Sequence, residues 1–350
     1  MNSPAERATH LLRKRLGWAV SAAYLAALLL PGPGIWLRHP HTLPTAPQHA
    51  LPVHTTVWLL ALVLFSAGLQ VPARSLTRIL RRPAILLPGL ALHLAAPLLI
   101  IPPVVLLPRH SPDTDGGSGL VTAMILIVAM PVAAGATVWT GKGQGDQPTM
   151  VGLVLASTLL SQLTIPLTVT VLAPLLGGGY ATTLAWAGQS LHDGFAFTTV
   201  VLPCAAGLLC RLLLPGPWAE QFVATVVHVA MVGSLLTYVN ASGALGSFLA
   251  HPRPLLFAAA LTVPTLVCAF SFLLGRLAAR ALHLDAPVAS SLTLACGMNN
   301  SSASAALLTT ALPDKPHLLL PVLAYGLLQK TAANRVMRLA ARPVPCTGTA

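Results

Sequence analysis

Ten apolar runs follow one another along the sequence, and most of them are long enough to cross a lipid bilayer. A membrane-spanning helix needs about 20 residues, because it rises about 1.5 Å per residue through a hydrocarbon core about 30 Å thick. The runs lie at about 16–36, 55–71, 83–107, 118–141, 148–175, 194–214, 221–243, 254–275, 287–311 and 317–334. This series predicts an all-α polytopic membrane protein of about ten transmembrane helices.

The composition excludes an ordinary soluble domain. Only 8% of the 350 residues are charged, against about 25% in soluble domains. The net charge of +12 comes from basic residues scattered between the apolar runs, so we predict no nucleic-acid partner. The glycine-rich stretch at 141–146 lacks the spacing of a phosphate-binding loop, and no cysteine or histidine spacing is typical of a metal site. We therefore predict membrane lipid as the surroundings, and no cofactor, metal or catalytic residue.

The distribution of lysine and arginine predicts the orientation. With both termini in the cytoplasm, fifteen of the twenty basic residues fall inside, four fall outside, and Lys330 falls within a helix. Cytoplasmic loops carry such an excess of positive charge. The split predicts a multi-pass protein of the plasma membrane with both termini cytoplasmic. It also places the segments at about 38–54 and 176–193 on the outer surface, as loops.

Ten helices divide into two halves of five, which enter the membrane from opposite sides. Any repeat between the halves must therefore be inverted. We predict the first repeat at residues 1–175 and the second at 176–350, each with its fourth helix broken.

The two broken helices lie at about 118–141, with Pro131 and Gly135 in mid-membrane, and at about 287–311, with Gly297. Unwound backbone is tolerated at that depth only where it is buried in protein or lines a wet cavity. Matched interruptions therefore indicate a transporter site near the midplane, where we expect the two breaks to cross.

Polar side chains follow both breaks. Asn299, Asn300 and Ser301 come directly after the second one. Hydrogen bonds between helices would account for some of these groups, but two adjacent amides exceed what packing requires, and polar groups in lipid need partners. Thr137 and Thr140 follow the first break, although a helical threonine often bonds only the carbonyl four residues earlier. We interpret all five as solute-binding residues.

With these segments in place, the sequence resembles the bile acid:sodium symporter (BASS) family, as a divergent, bacterial-type member. The segment FSAGLQVPARSLTRILRRPAILLPGLALHLAAPLL resembles that family's second and third helices. TVWTGKGQGDQPTMVGLVLASTLLSQLTIPL resembles its broken fourth helix and its fifth helix. ACGMNNSSASAALL is similar to the ninth-helix signature, usually Glu-x-Gly-x-Gln-Asn, and AYGLLQKTAANRV resembles the tenth helix. The resemblance covers nearly the whole chain.

The resemblance implies a panel domain, a core domain with two crossing broken helices, and transport of an organic anion, usually driven by sodium. Most of the family's sodium ligands are replaced here. The family's glutamate falls on Ala295 and its glutamine on Asn299, while Asn300 keeps the asparagine. Its other ligands fall on positions that mostly lack a side-chain oxygen, namely Ala136, Thr137, Met150, Val154 and His93. These departures argue against sodium coupling.

Two ionisable side chains would supply a charge in place of sodium. Lys330 could provide a fixed ammonium beside an anionic solute, or its side chain could extend to the interface about one turn away. His93 could carry a coupling proton, or could be a hydrogen-bonded residue of the helix bundle. A proton is therefore the alternative coupling ion.

The leading hypothesis is a secondary transporter of a small or amphipathic organic anion that works by alternating access. The alternatives are another inverted-repeat transporter family, such as the arsenite permeases, for which Cys296 leaves room, or the auxin-type efflux carriers. An intramembrane enzyme is disfavoured, because no paired acids or metal-binding motifs lie in the apolar runs. Substrate, direction of transport and oligomeric state do not follow from the sequence.

Overall fold

The computed structural model describes residues 21–39, 41–44, 50–69, 71, 83–106, 117–143, 145–190, 194, 197–214, 232–250, 254–312 and 314–340. Several sequence predictions fall outside these ranges. They are the start of the first span, the basic turn between the second and third spans, the start of the seventh span at 221–231, and both termini.

The described chain is mainly α-helical. Its first half contains α1 (residues 21–29), α2 (Pro31–Arg38), α3 (Thr55–Leu69), α4 (Pro83–Val105), α5 (Ser118–Val128), α6 (Ala136–Lys142) and α7 (Gln147–Leu172). Its second half contains α8 (Gly179–Ser190), α9 (Leu202–Leu213), α10 (Val232–Ala250), α11 (Pro254–Ala281), α12 (Ala286–Gly297), α13 (Ser301–Ala311) and α14 (Leu319–Ala340). A π-helical turn, Phe197–Val201, leads into α9.

Three of the described helical stretches are long and apolar enough to cross a bilayer by themselves: Ile85–Val105, Gln147–Leu175 and Pro254–Ala281. Shorter apolar helices lie at Thr55–Leu69, Ser118–Val128, Phe197–Leu213 and Ala286–Gly297. The fold is thus that of a helical membrane protein.

Three segments differ from the sequence prediction. The first span is interrupted at Leu30, because Pro31 has no N–H and disfavours a helical conformation in the residue before it. The segment 38–54, expected as a loop, contains the antiparallel strands β1 (His41–Pro44) and β2 (Ala50–Val53). The expected loop at 176–193 contains α8.

Helix α8 forms because tertiary packing overrides a loop-like local sequence. Gly177 and Gly178 precede it and Gly179 begins it, which suggested a loop. Tyr180 and Leu184 are nevertheless almost fully buried against the neighbouring α5 and α7. An amphipathic helix packed in this way is stabilised mainly by its buried face.

The helices pack in two groups. Helices α2, α3, α9 and α10 contact one another, and the closest approach is between α3 and α9. There the backbones touch at Gly68 and Gly207, where an added Cβ would lie 2.1 Å from the Cys204 carbonyl oxygen and 2.0 Å from that of Phe65. The second group contains α4, α5, α6, α7 and α11 to α14, and α10 contacts α13 and α14 across the boundary between the groups.

One end of the second group is rich in positive charge. The backbone of Asp146 bonds that of Pro287 there, and Gly143 lies against Met337. The same end carries the five described basic residues Lys142, Arg276, Arg280, Arg335 and Arg338 at the ends of α6, α11 and α14. Lys315 precedes α14, whose 22 residues extend about 33 Å, so it lies at the opposite end. The predicted orientation requires these five basic residues and Lys315 to lie at opposite ends. Which end faces the cytoplasm stays a prediction.

Candidate functional site

The two interrupted helices meet at their interruptions. The break between α5 and α6 spans residues 129–135, and the break between α12 and α13 spans 298–300. Val132 and Asn299 form an antiparallel bridge. The Ala133 N–H donates to the Met298 carbonyl at 2.8 Å, and the Asn300 N–H donates to the Pro131 carbonyl at 2.9 Å. Both predicted breaks are thus present, and each supplies hydrogen bonds that the other has lost.

A third hydrogen bond to the first break comes from α7. The Val132 N–H donates to Oγ of Ser157 at 3.1 Å, and that hydroxyl donates in turn to the Val154 carbonyl. Ser157 is almost fully buried. Buried backbone groups need partners, so the Ser157 hydroxyl stabilises the unwound backbone of the first break. Local sequence patterns do not identify this residue.

The two glycines of the breaks have different surroundings. A Cβ added to Gly297 would lie 2.3 to 2.5 Å from the ring atoms of Phe272, so the ring packs directly on the backbone. Gly135 is exposed, and a Cβ added there would meet nothing within 4 Å. The second break therefore requires glycine for steric reasons, whereas the first does not.

The side chain of Asn299 is buried and points to α14. Its Nδ2 donates to the Tyr325 hydroxyl at 3.1 Å, which donates to the Gly297 carbonyl at 3.1 Å. Tyr325 is fully buried, so this pair braces the second break from behind. This geometry favours a structural role for Asn299, and its predicted contact with solute stays a prediction.

Asn300 and Ser301 begin α13. Oδ1 of Asn300 accepts from the Ala303 N–H at 3.1 Å, which makes Asn300 the N-cap of the helix. Ser301 is half-buried, and its hydroxyl lies 3.4 Å from Nε2 of Gln329. These two residues place an amide and a hydroxyl beside the second break, and their contact with solute stays a prediction.

One stripe of α14 faces this break. Tyr325 and Gln329 are one turn apart on this stripe. Gly326 lies against Ser301, because a Cβ added to Gly326 would be 2.8 Å from Oγ of Ser301. Lys330 follows Gly326 by one turn, so it occupies the same side of the helix. It is half-buried. Lys330 is therefore next to the site along α14, and its role stays a prediction.

The two threonines of α6 hydrogen-bond within their own segment. Thr137 Oγ1 donates to the Ala134 carbonyl at 2.8 Å, and Thr140 Oγ1 donates to that of Ala136 at 2.9 Å. Thr140 is fully buried, while Thr137 is half-buried and its backbone carbonyl accepts from Nε2 of Gln147. The geometry thus agrees with the alternative of local bonding, above all for Thr140.

His93 joins the two broken helices from α4. The side chain is 5% exposed, and the imidazole hydrogen-bonds to the backbone of Met130 and of Ala295. Met130 lies within the first break, and Ala295 lies in α12 just before the second break. The positions that match the family's other sodium ligands are apolar and buried, among them Ala136, Met150, Val154 and Ala295. Their side chains offer no oxygen ligand to a hard cation.

Six buried side-chain atoms have no hydrogen-bond partner within the described ranges, and three of them lie on three mutually contacting helices. These three are Oδ1 of Asn240 on α10, Oγ of Ser304 on α13 and Oε1 of Gln329 on α14. Sequence reasoning missed Asn240, Gln329 and Tyr325. Amides inside apolar helices were the available signal for the first two, because such groups are costly in lipid.

Comparisons with known proteins assign the family. A model described as the Sodium Bile acid symporter family matches residues 57–252, a range that includes the first break. No curated protein matches the chain. Members of this family are transporters, which agrees with the interrupted helices and their polar surroundings. Since the match covers more than half of the sequence, the chain belongs to the Sodium Bile acid symporter family.

Proposed function

We propose that this protein is a secondary transporter that moves a small or amphipathic organic anion across the membrane by alternating access. The observation that carries the proposal is the contact between the two breaks, where Asn300 and Ser301 stand beside unwound backbone. Irregular backbone at membrane depth is used where it lines a cavity or a solute site. Family membership supports transport as the activity.

The charge distribution favours an anionic solute. The described acidic residues, Asp146, Asp285 and Asp314, all lie outside the helices. Lys330 and the N-terminal end of α13 are the groups near the break that carry full or partial positive charge. An anion in a region of low dielectric needs such compensation, because an unpaired buried charge is costly.

Alternating access is proposed to occur at the boundary between the two helix groups. The breaks are bonded to each other and braced by Tyr325 and Ser157, so they form one rigid unit within the second group. The unpartnered oxygen of Asn240 belongs to the first group, while those of Ser304 and Gln329 belong to the second. Polar atoms on both sides of a moving boundary would bind solute between them.

We further propose that sodium does not drive this transport. Ala136, Met150, Val154 and Ala295 replace the side chains that would bind it. A proton is the alternative ion, carried by Lys330 next to the solute or by His93 between the two breaks. A neutral imidazole has one N–H, so it donates to one carbonyl at a time, whereas an imidazolium donates to two. Protonation of His93 would therefore tie both broken helices to α4.

The proposal extends to placement in the plasma membrane, with the basic end of the second helix group in the cytoplasm. The arrangement of two inverted five-helix repeats, at 1–175 and 176–350, is part of the same proposal. It is supported by the corresponding positions of the two breaks.

The experiment is uptake by purified protein in liposomes. Radiolabelled pyruvate and taurocholate serve as a small and an amphipathic organic anion, and arsenite tests the alternative that Cys296 left open. We expect uptake of at least one organic anion above that of empty liposomes, and none of arsenite, because the Cys296 thiol is almost fully buried. Uptake of arsenite alone would refute the proposed substrate class.

A further inference from the structure

A cavity of about 690 Å³ opens at the basic end of the second helix group. The last three turns of α11, the turn that follows it, the first two turns of α12 and the end of α14 line it. Its polar side chains include Arg276, Arg280 and His283, and its apolar side chains include Phe272, Leu273 and Leu339. Nothing in the proposed transport mechanism uses this cavity.

The length of α11 places the two arginines at the membrane surface. The helix has 28 residues and is therefore about 42 Å long, whereas the hydrocarbon core of a bilayer is about 30 Å thick. A span that starts at Pro254 leaves the hydrocarbon near Leu273. Arg276 and Arg280 follow within the next two turns, at the depth of the lipid headgroups.

Both guanidinium groups are available to a ligand. Arg276 and Arg280 are exposed and one turn apart, so they project from the same face of α11. No ion pair between either guanidinium and an acidic side chain is present among the residues that the structure describes. Two adjacent like charges without counter-charges repel each other, and a bound anion would relieve that repulsion.

His283 gives an independent reason to expect a ligand. It lies two residues beyond the end of α11 with φ of 50°, and it is the one described non-glycine residue with positive φ. Its N–H bonds the Arg280 carbonyl, and the Leu284 N–H bonds that of Ala279, which is the capping arrangement that usually has glycine at this position. A side chain here costs backbone strain. Glycine would remove the strain but would also remove the imidazole from the cavity.

The apolar part of the cavity indicates what kind of anion fits. Leu273 and Leu339 line it beside the arginines, and both are about half exposed. Exposed leucines at the edge of a bilayer contact acyl chains, whereas a small soluble anion would leave them in water. Basic pockets between transmembrane helices are suited to phospholipid headgroups.

We propose that this cavity binds an anionic phospholipid of the surrounding bilayer. The guanidinium groups of Arg276 and Arg280 and the imidazole of His283 bind the phosphate, and the acyl chains lie along Leu273 and Leu339. Arginine is suited to this role because its planar fork matches phosphate oxygens. Phe272 lines the cavity and also packs on Gly297, so the bound lipid adjoins the second break.

The test is native mass spectrometry of the purified full-length protein, titrated with phosphatidylglycerol or phosphatidylcholine in a neutral detergent. The paired variant Arg276→Gln/Arg280→Gln removes the proposed phosphate contacts. Its matched control is Arg335→Gln/Arg338→Gln on α14. This variant removes two exposed charges from the same end of the second helix group, and neither arginine lines the cavity.

We expect wild type to bind phosphatidylglycerol more tightly than phosphatidylcholine, and the cavity variant to lose about tenfold or more of that affinity. The control variant should stay close to wild type. Equal binding of the two lipids, or an equal loss in the control, would overturn the proposal.

Two further measurements identify the ligand and test whether the His283 imidazole contributes to its binding. Excess glycerol 3-phosphate and excess taurocholate should not displace phosphatidylglycerol; displacement by the first would assign the cavity to a soluble phosphate, and displacement by the second to an amphipathic solute. His283→Gly should keep an unchanged or higher melting temperature and still weaken lipid binding. Unchanged lipid binding by that variant would exclude the imidazole from the site.

Discussion

The side-chain amide of Asn299 donates to the hydroxyl of Tyr325 at 3.1 Å, and through that hydroxyl it is linked to the Gly297 carbonyl. One phenol therefore connects the last residue of α12 with the middle of the break that follows. All three residues are buried, so water does not replace these bonds. The shape of the second break depends on a side chain 26 residues away.

Tyr325→Phe removes that connection without changing the ring. We expect a loss of about 1–3 kcal/mol in stability, because the Asn299 amide and the Gly297 carbonyl lose a buried partner. We also expect slower uptake by the folded fraction. Melting temperature and liposome uptake measure the two effects.

Tyr238→Phe is the matched control for this change. Tyr238 donates to the Leu30 carbonyl and accepts from the Gly34 N–H, so the same atom is lost from two hydrogen bonds in the first helix group. It should lower stability and leave uptake per folded molecule unchanged. Equal effects of both variants on uptake would show that Tyr325 has no particular role at the break.

Asn300 has two roles that different substitutions separate. Asn300→Ala removes both the N-cap of α13, with a cost of about 0.5–2 kcal/mol, and the side-chain amide nitrogen. Asn300→Ser keeps an N-capping oxygen and removes only the amide nitrogen. We expect near-normal stability for Asn300→Ser and a drop in uptake of about tenfold or more, since a hydrogen bond to a charged solute contributes about 1.5–3 kcal/mol. Normal uptake kinetics would remove Asn300 from the solute site.

Alanine at the two break glycines should have opposite outcomes. In Gly297→Ala the new methyl group overlaps the ring of Phe272, which is 7% exposed and packs directly on the backbone of Gly297. Overpacking of this kind costs about 1–3 kcal/mol, so folding yield and melting temperature should fall. Gly135→Ala meets nothing within 4 Å and should be tolerated. A similar melting temperature for both variants would contradict the packing at Gly297.

Replacement of sodium by choline should leave uptake unchanged. Four of the positions matched to sodium ligands, Ala136, Met150, Val154 and Ala295, have no side-chain oxygen. A positive charge from Lys330 would take the place of sodium beside the anion. Lys330→Ala should therefore lower uptake and alter its pH profile, whereas Arg335→Ala, five residues further along α14 and exposed, should do neither.

Two results would contradict this prediction. Uptake that requires a sodium gradient refutes the prediction that transport is independent of sodium. An unchanged rate and pH profile in Lys330→Ala leaves that lysine as an interfacial anchor.

The breaks were predictable from the sequence because their causes are local. Pro131 cannot donate a helical hydrogen bond, and a glycine with two following amides weakens a helix wherever it stands. Their long-range partners were not predictable in this way. Nothing in the spacing of Ser157 or Tyr325 distinguishes them from ordinary residues of apolar helices, and only the packed structure shows which break each one contacts.

The assignment of the two threonines shows a second limit. Thr137 and Thr140 were predicted to bind solute because they are polar residues that follow the first break. In the structure, both hydroxyl groups donate to backbone carbonyls of their own segment. For helix α8, glycines near its start suggested a loop, whereas the burial of Tyr180 and Leu184 decides the outcome. Sequence patterns report intrinsic preference, and tertiary contacts override it at these positions.

The antiparallel bridge between the breaks has a consequence for biogenesis. When the ribosome has completed the first five predicted spans, the Val132 N–H already has its partner in Ser157. The Ala133 N–H and the Pro131 carbonyl must wait until residues 298–300 have been synthesised and inserted. The nascent first half is therefore an unfinished intermediate with unsatisfied backbone inside the membrane, and the second half acts as its intramolecular chaperone. A chain that stops before residue 298 would leave the same two groups permanently without these partners.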